Sequence, residues 1–250
     1  MSTLIRILIY VLFGILPSLI WLFYYLRKDL HPEPKREILK LFFYGAAITI
    51  PVFLVQIGLS SILEQIKVSG VFDGFPVIAD IIKWFIVIAL TEEFLKYFVV
   101  KQVILKESTL DEPLDIMLYM VVVALGFAAV ENILYLFSPV DNYLNISKVL
   151  ELTITISSIR FIGATFLHTL SSALVGYFLA LSSTRAGKRR LLVATGIFLA
   201  SLLHGLYDFS IITLASPMNF IVPLLIVMGL VIFMMYDFDE IKKIKGICKL

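Results

Sequence analysis

The sequence predicts an all-α, polytopic membrane protein with about seven transmembrane helices and a polar site inside the membrane. Three observations lead there. Apolar residues make up 60% of the 250 and charged ones 16%, where about 25% charged is usual for a soluble domain. The mean hydropathy of +0.98 comes from long apolar runs with charges clustered between them, the pattern expected when lipid is the main solvent. Finally, ionisable residues stand in the middle of several of those runs.

Apolar runs fall at about Leu4 to Leu26, Ile38 to Leu63, Val77 to Val100, Leu114 to Phe137, Thr153 to Ser183, Leu191 to Leu214 and Phe220 to Tyr236. Most reach the roughly 20 residues that a spanning helix needs. The first follows a single cation, Arg6, and lacks a small-x-small cleavage site, so it reads as a retained anchor helix. The fifth is long, and an interfacial helix is expected over Asn142 to Glu151. Gly70, Asp73, Gly74 and Pro76 mark Gly70 to Trp84 as the longest outer loop. No connecting segment is long or polar enough for a soluble domain, so residues 1–250 read as one integral membrane domain.

Charge sets the orientation. The cations concentrate on alternate segments: Arg27, Lys28, Lys35, Arg36 and Lys40; Lys101 and Lys106; Arg185, Lys188, Arg189 and Arg190; Lys242, Lys243, Lys245 and Lys249. The other ends hold Arg6, Lys67, Lys83 and Lys148. The positive-inside rule then places the N-terminus outside and the C-terminus in the cytoplasm. A net charge of +2 carries no nucleic-acid footprint. The single cysteine, Cys248, excludes an internal disulfide framework and a cysteine metal cage.

An ionisable side chain at mid-bilayer costs roughly 2.5 to 3.5 kcal/mol even on lenient scales, so each needs a reason. In the third span Lys96 lies four residues after Glu92 and three after Glu93, one face of a helix. A lone Glu/Lys pair would serve packing. Two adjacent carboxylates with one cation leave one carboxylate for other work, such as a general base. The i,i+4 spacing pairs Glu92 with Lys96 and leaves Glu93 as the expected base. In the fourth span Gly126, Ala128 and Ala129 thin the helix before Glu131 and Asn132; Glu131 reads as counter-ion to Arg160 of the fifth span or as a site residue, two roles that can coexist. His168 follows in the fifth span, with Ser171 and Ser172 one turn on and small residues that let helices approach. In the sixth, His204 and Asp208 stack at i,i+4, where the aspartate orients the imidazole, shares a metal with it, or simply satisfies a buried hydrogen bond.

Carboxylates and imidazoles converging in a bundle suit hydrolysis by an activated water, through a divalent metal or through Glu as base with His as oxyanion donor. No His-Glu-x-x-His pair and no Gly-x-Ser-x-Gly elbow is present, and Tyr207-Asp208 lacks the second aspartate of a presenilin-type site.

The order and spacing of these residues resemble the PrsW intramembrane proteases, distant relatives of the CAAX-processing and bacteriocin-immunity (Abi) membrane proteases. The resemblance runs through Arg27-Lys-Asp-Leu-His-Pro-Glu-Pro34, the double-Glu motif Glu92-Glu93-x-x-Lys96, Asp111-Glu-Pro-Leu-Asp115, Gly126-Phe-Ala-Ala-Val-Glu131-Asn132, Arg160 through His168, and His204-x-x-x-Asp208. It departs at Ile116, where a small residue is expected. It implies a peptidase of a prokaryotic plasma membrane that cuts a membrane-anchored protein near the outer side of the bilayer, in the best-known case an anti-sigma factor. The resemblance implies two mechanisms: zinc or another divalent metal on His168, His204 and Asp208, or a metal-free glutamate-activated water. Glu92, Glu93, Lys96, Glu131 and His168 are then the expected catalytic set, with Asn132 and Arg160 in support. Two other readings fit the buried charges: a proton- or cation-coupled transporter, which would favour inverted repeats that are not seen, and a non-catalytic scaffold for membrane partners.

Overall fold

The computed structural model describes residues 3–27, 33–104, 113–137, 146–184 and 186–241. Lys28 to Pro32, Lys106, Asp111, Glu112, Asn142, Arg185, Lys242, Lys243, Lys245, Cys248 and Lys249, all named above, lie outside them.

The described residues are helical almost throughout: α1 (Thr3–Leu26), α2 (Lys35–Val68), α3 (Pro76–Ile81), a π-helical stretch (Ile82–Leu90), α4 (Thr91–Ile104), α5 (Pro113–Phe137), α6 (Ile146–Ile162), α7 (Ala164–Thr184), a short 3₁₀ turn (Ala186–Lys188), α8 (Arg189–Thr213) and α9 (Met218–Ile241). Six runs are long and apolar enough to cross a membrane: Leu4–Leu26, Lys35–Val68, Pro113–Phe137, Ile146–Ser183, Arg189–Thr213 and Met218–Tyr236. The expected third span is also helical without interruption from Pro76 to Ile104. Glu92, Glu93 and Lys96 are what keep it from qualifying on apolarity.

Two boundaries differ from expectation. Helix begins at Pro76, one residue before the expected span at Val77, because proline at the first helical position has no N–H to leave unpaired; the expected loop from Gly70 to Trp84 therefore ends at Phe75. Ile146 to Glu151 are not a separate interfacial helix but the first turns of α6. That helix passes into α7 through Gly163, whose N–H still bonds Ile159 O (2.9 Å) and whose carbonyl still accepts from Leu167 N–H (2.8 Å). The residue is glycine because the Tyr207 hydroxyl occupies the space a Cβ would need.

α5 is the axis of the bundle. It is apolar on every side, and a helix of that kind is a buried one: Ile116 through Ala129 are all buried. α2, α7 and α1 are its main neighbours, and α8 packs on α7 and on the π stretch. Close approach makes this possible. A Cβ on Gly45 of α2 would overlap the Val123 carbonyl of α5, and one on Gly126 would overlap the Phe42 carbonyl of α2, so van der Waals contact between backbones takes the place of the hydrophobic effect that lipid removes. α1 is tied in by Trp21, which stacks on Phe166 with ring centroids 4.2 Å apart and donates to Phe161 O at 3.0 Å. α1, α2 and α9 turn rows of large apolar side chains outward, as lipid-facing helices do.

Candidate active site

The polar residues predicted from four separate spans meet at one place. α4 contributes Glu92, Glu93 and Lys96; α5 contributes Glu131 and Asn132; the α6–α7 run contributes Arg160 and His168; α8 contributes His204 and Asp208. Glu92, Glu93, Lys96, His168 and His204 are all buried. The π stretch ends at Leu90, two residues before Glu92, and packs on α8 where Gly205, the residue after His204, admits the backbone of Phe85.

Lys96 is the hub. Its ammonium has three protons and three acceptors around it: Glu92 Oε2 at 3.3 Å, Glu93 Oε1 at 3.1 Å and His168 Nδ1 at 3.0 Å. The Phe127 ring closes the remaining side, 4.3 Å from Nζ to its centroid. An ammonium can only donate, so His168 Nδ1 accepts, and Nε2 carries the proton that goes to Glu131 Oε2 at 2.8 Å. Glu131 also receives Arg160 Nη2 at 2.6 Å, while Arg160 Nε donates to Asn132. The expected counter-ion pair of Glu131 and Arg160 therefore exists, and the same carboxylate holds the imidazole.

The two adjacent glutamates are treated differently. Glu93 is wholly enclosed and accepts from Lys96, from Ser171 at 3.1 Å, from Ser172 at 2.9 Å and from His204 Nδ1 at 3.0 Å. Those donors occupy both of its oxygens. Glu92 has Gln56 Nε2 at 3.1 Å on Oε1, and its Oε2 looks toward His168 Nδ1 at 3.7 Å and His204 Nε2 at 3.9 Å. The spacing argument that left Glu93 as the free carboxylate does not describe these contacts: Lys96 serves both, and Glu92 is the one facing the imidazoles.

Donor atoms of Glu92, His168 and His204 lie within 4.8 Å of one another. Asp208, expected beside the two histidines, is not in that group. It sits one turn further along α8 with Oδ2 at 3.4 Å from His204 Nε2 and its side chain a quarter exposed.

The donor set suits a divalent metal on three counts. Two imidazoles and a carboxylate are a familiar complement for catalytic zinc, and tetrahedral bonds of about 2.0 Å put neighbouring donors about 3.3 Å apart, close to the observed 3.7 and 3.9 Å. Each imidazole has its other nitrogen on a carboxylate, which fixes tautomer and ring direction. The cluster also carries four carboxylates (Glu92, Glu93, Glu131 and Asp208) against two cations (Lys96 and Arg160). With both imidazoles neutral the carboxylates outnumber the cations by two, and an unpaired charge is expensive where water is excluded. A divalent ion removes the deficit. His168 Nδ1 has one lone pair, so binding a metal there means Lys96 gives up that contact and keeps its two carboxylates.

Gln56, Ser171, Ser172 and Phe127 were not anticipated in these roles. The sequence places the serines one turn after His168 in a tightly packed polar region, without pointing to Glu93 as their acceptor. Gln56 lies on the inward stripe of α2 with Leu41, Gly45, Thr49 and Val52, and a polar residue continuing an otherwise small and apolar stripe is the signal that could have found it.

Convergent carboxylates and imidazoles enclosed by membrane-length helices define a class, the intramembrane hydrolases. Comparison with known proteins narrows it. Residues 33–236 match the family described as PrsW family intramembrane metalloprotease, and the chain belongs to that family. Among its relatives are the Protease PrsW of Oceanobacillus iheyensis, 29% identical over 87% of this chain and 90% of that one, and that of Bacillus subtilis, 28% identical over 85% and 87%. The Geobacillus kaustophilus protein of the same name is 29% identical over 78% of this chain and 76% of its own. No solved structure matches. The protein is thus an integral membrane peptidase, and the transporter and scaffold readings give way to it.

Proposed function

We propose that this peptidase hydrolyses a peptide bond of a membrane-anchored protein at a centre formed by Glu92 Oε2, His168 Nδ1 and His204 Nε2. The observation that carries the reading is the pair of carboxylate-held imidazoles facing one carboxylate oxygen, with donor atoms of Glu92, His168 and His204 within 4.8 Å of one another. Glu92, His168 and His204 would hold a metal, zinc or another divalent ion. When bound, it supplies a Lewis acid and lowers the pKa of water. Glu131 and Glu93 keep the protons on His168 Nε2 and His204 Nδ1, so that the opposite nitrogens stay available. Lys96 screens Glu92 from Glu93. Asp208 Oδ2, 3.4 Å from His204 Nε2, takes the proton from the attacking water and returns it to the leaving amine. Asn132 and Arg160 fix Glu131.

The family resemblance suggests an anti-sigma-factor-like regulator as substrate and the plasma membrane of a prokaryote as location. The cation bias supports a cytoplasmic C-terminus and an external N-terminus; a reporter after Leu250 or near Gly187 should then report cytoplasm, and one near Asp73 the outside. The deciding experiment is cleavage of membrane-anchored substrates by the purified protein in proteoliposomes, before and after exhaustive chelation, with elemental analysis. About one divalent ion per chain is expected, lost along with activity on chelation and on His204→Ala. Full activity in the stripped protein would move the reading to a metal-free Glu92 base.

A further inference from the structure

Gln56 touches Glu92 itself and has no part in the mechanism above. It comes from α2, a helix that contributes nothing else to the cluster, and it is buried. Its amide donates to Glu92 Oε1 at 3.1 Å. Burying a primary amide among membrane helices is unfavourable unless its protons find acceptors, and an aliphatic side chain would fill the same space at no such cost. A packing role therefore does not explain it.

We propose that Gln56 is a positioning residue for the centre: by holding Glu92 Oε1 it commits Oε2 to the face occupied by His168 and His204. A carboxylate has two equivalent oxygens and a soft terminal torsion. Beside a lysine 3.3 Å away, an uncapped Glu92 would turn both oxygens onto the ammonium. The amide prevents this with a neutral donor, so the carboxylate keeps its charge for the metal or the water, whereas a second cation would quench it. The register is held by the backbone contacts of Gly45 with Val123 and of Gly126 with Phe42, which lock α2 to α5. Because α5 also carries Glu131, the residue that orients Glu92 and the residue that orients His168 belong to one packed pair of helices.

This inference rests on the reading of Glu92 given above, and the experiment separates the two. Full-length protein in proteoliposomes would be compared as wild type, Gln56→Met, Gln56→Asn and Glu92→Gln. The readouts are kcat and KM on a fluorogenic peptide bearing one hydrophobic anchor, zinc affinity of the stripped protein, and thermal unfolding. Methionine matches glutamine in length without the donor; asparagine keeps the amide and is a methylene too short. Both variants are expected to lower kcat and zinc affinity about 10- to 100-fold, the range for orienting partners of metal ligands, with KM and the unfolding temperature unchanged. Wild-type kcat and zinc affinity in both would overturn the proposal, as would a loss in Met that tracks lowered stability and is fully restored in Asn. Should the Met variant fail to fold, the Asn variant decides alone. Glu92→Gln at the wild-type rate would overturn this inference together with the reading beneath it; an inactive Glu92→Gln beside unaffected Gln56 variants would overturn this inference only.

Discussion

The two imidazoles of the centre are each held by a carboxylate on the nitrogen that faces away, yet the two supports are built in opposite ways. Glu93, behind His204, is fully enclosed and surrounded by one ammonium, two hydroxyls and the imidazole. Glu131, behind His168, stands nearer the rim, with a side chain 14% exposed and a guanidinium 2.6 Å away. The difference is one of solvation. In the enclosed interior the one ammonium is shared with Glu92, and two neutral serines complete the shell around Glu93. At the rim Arg160 can spread its charge over Glu131, Asn132 and the face of the Tyr135 ring 3.9 Å from it. Equal orienting tasks thus call for hydroxyls in one place and an arginine in the other.

Substitutions can break or sharpen this contrast. The largest effect is expected where the two arms meet: Glu92→Gln should leave the protein inserted and folded and lower the cleavage rate by on the order of 10² or more, measured on a membrane-anchored peptide. A Glu92→Gln protein cleaving at the wild-type rate would dissolve the centre that both arms are said to serve. Next come the arms. Glu93→Gln and Glu131→Gln should each reduce metal affinity and rate about 10- to 100-fold. Glu93→Gln should also cost the more stability of the two, roughly 1 to 3 kcal/mol, because its amide protons would face Lys96, Ser171, Ser172 and His204, all of them donors, in the enclosed interior. Equal losses of stability in the two variants, followed by unfolding in detergent, would erase the distinction between interior and rim. Arg160→Lys should fall below these, reducing the rate less than tenfold, since an ammonium still neutralises Glu131 but cannot fork to Asn132 as well. Smallest, Ser171→Ala and Ser172→Ala should cost about 1 kcal/mol each and change activity little when made singly; a hundredfold loss from either would mean the hydroxyl touches substrate.

What could be read from the sequence divides along the same line of charge. Glu92, Glu93, Lys96, Glu131, Arg160, His168, His204 and Asp208 stand out in apolar runs because lipid makes each of them costly, and the helices follow from the length of the runs. Gln56, Ser171 and Ser172 do not stand out, since neutral polar residues are tolerated in membrane helices for packing alone. Nor does spacing reveal which glutamate faces the imidazoles: α-helical geometry puts Glu92 and Glu93 about 100° apart but leaves their absolute rotation to whatever precedes them, and a π stretch carries no periodic mark.

That stretch has a consequence for how the chain can vary. Bonds from i to i+5 spread a turn over roughly 4.4 residues against 3.6 in an α-helix, so the nine residues of Ile82–Leu90 complete about two turns instead of two and a half. The segment behaves as a phase-setting spacer. Exchanging one aliphatic residue for another on its outer side leaves the phase alone, whereas gaining or losing a single residue there turns Glu92 by about 80 to 100°, away from both histidines. Homologous chains should therefore align through this stretch without gaps even where their letters differ, and put their length changes in the Ser69 to Phe75 connection, where nothing downstream depends on the count.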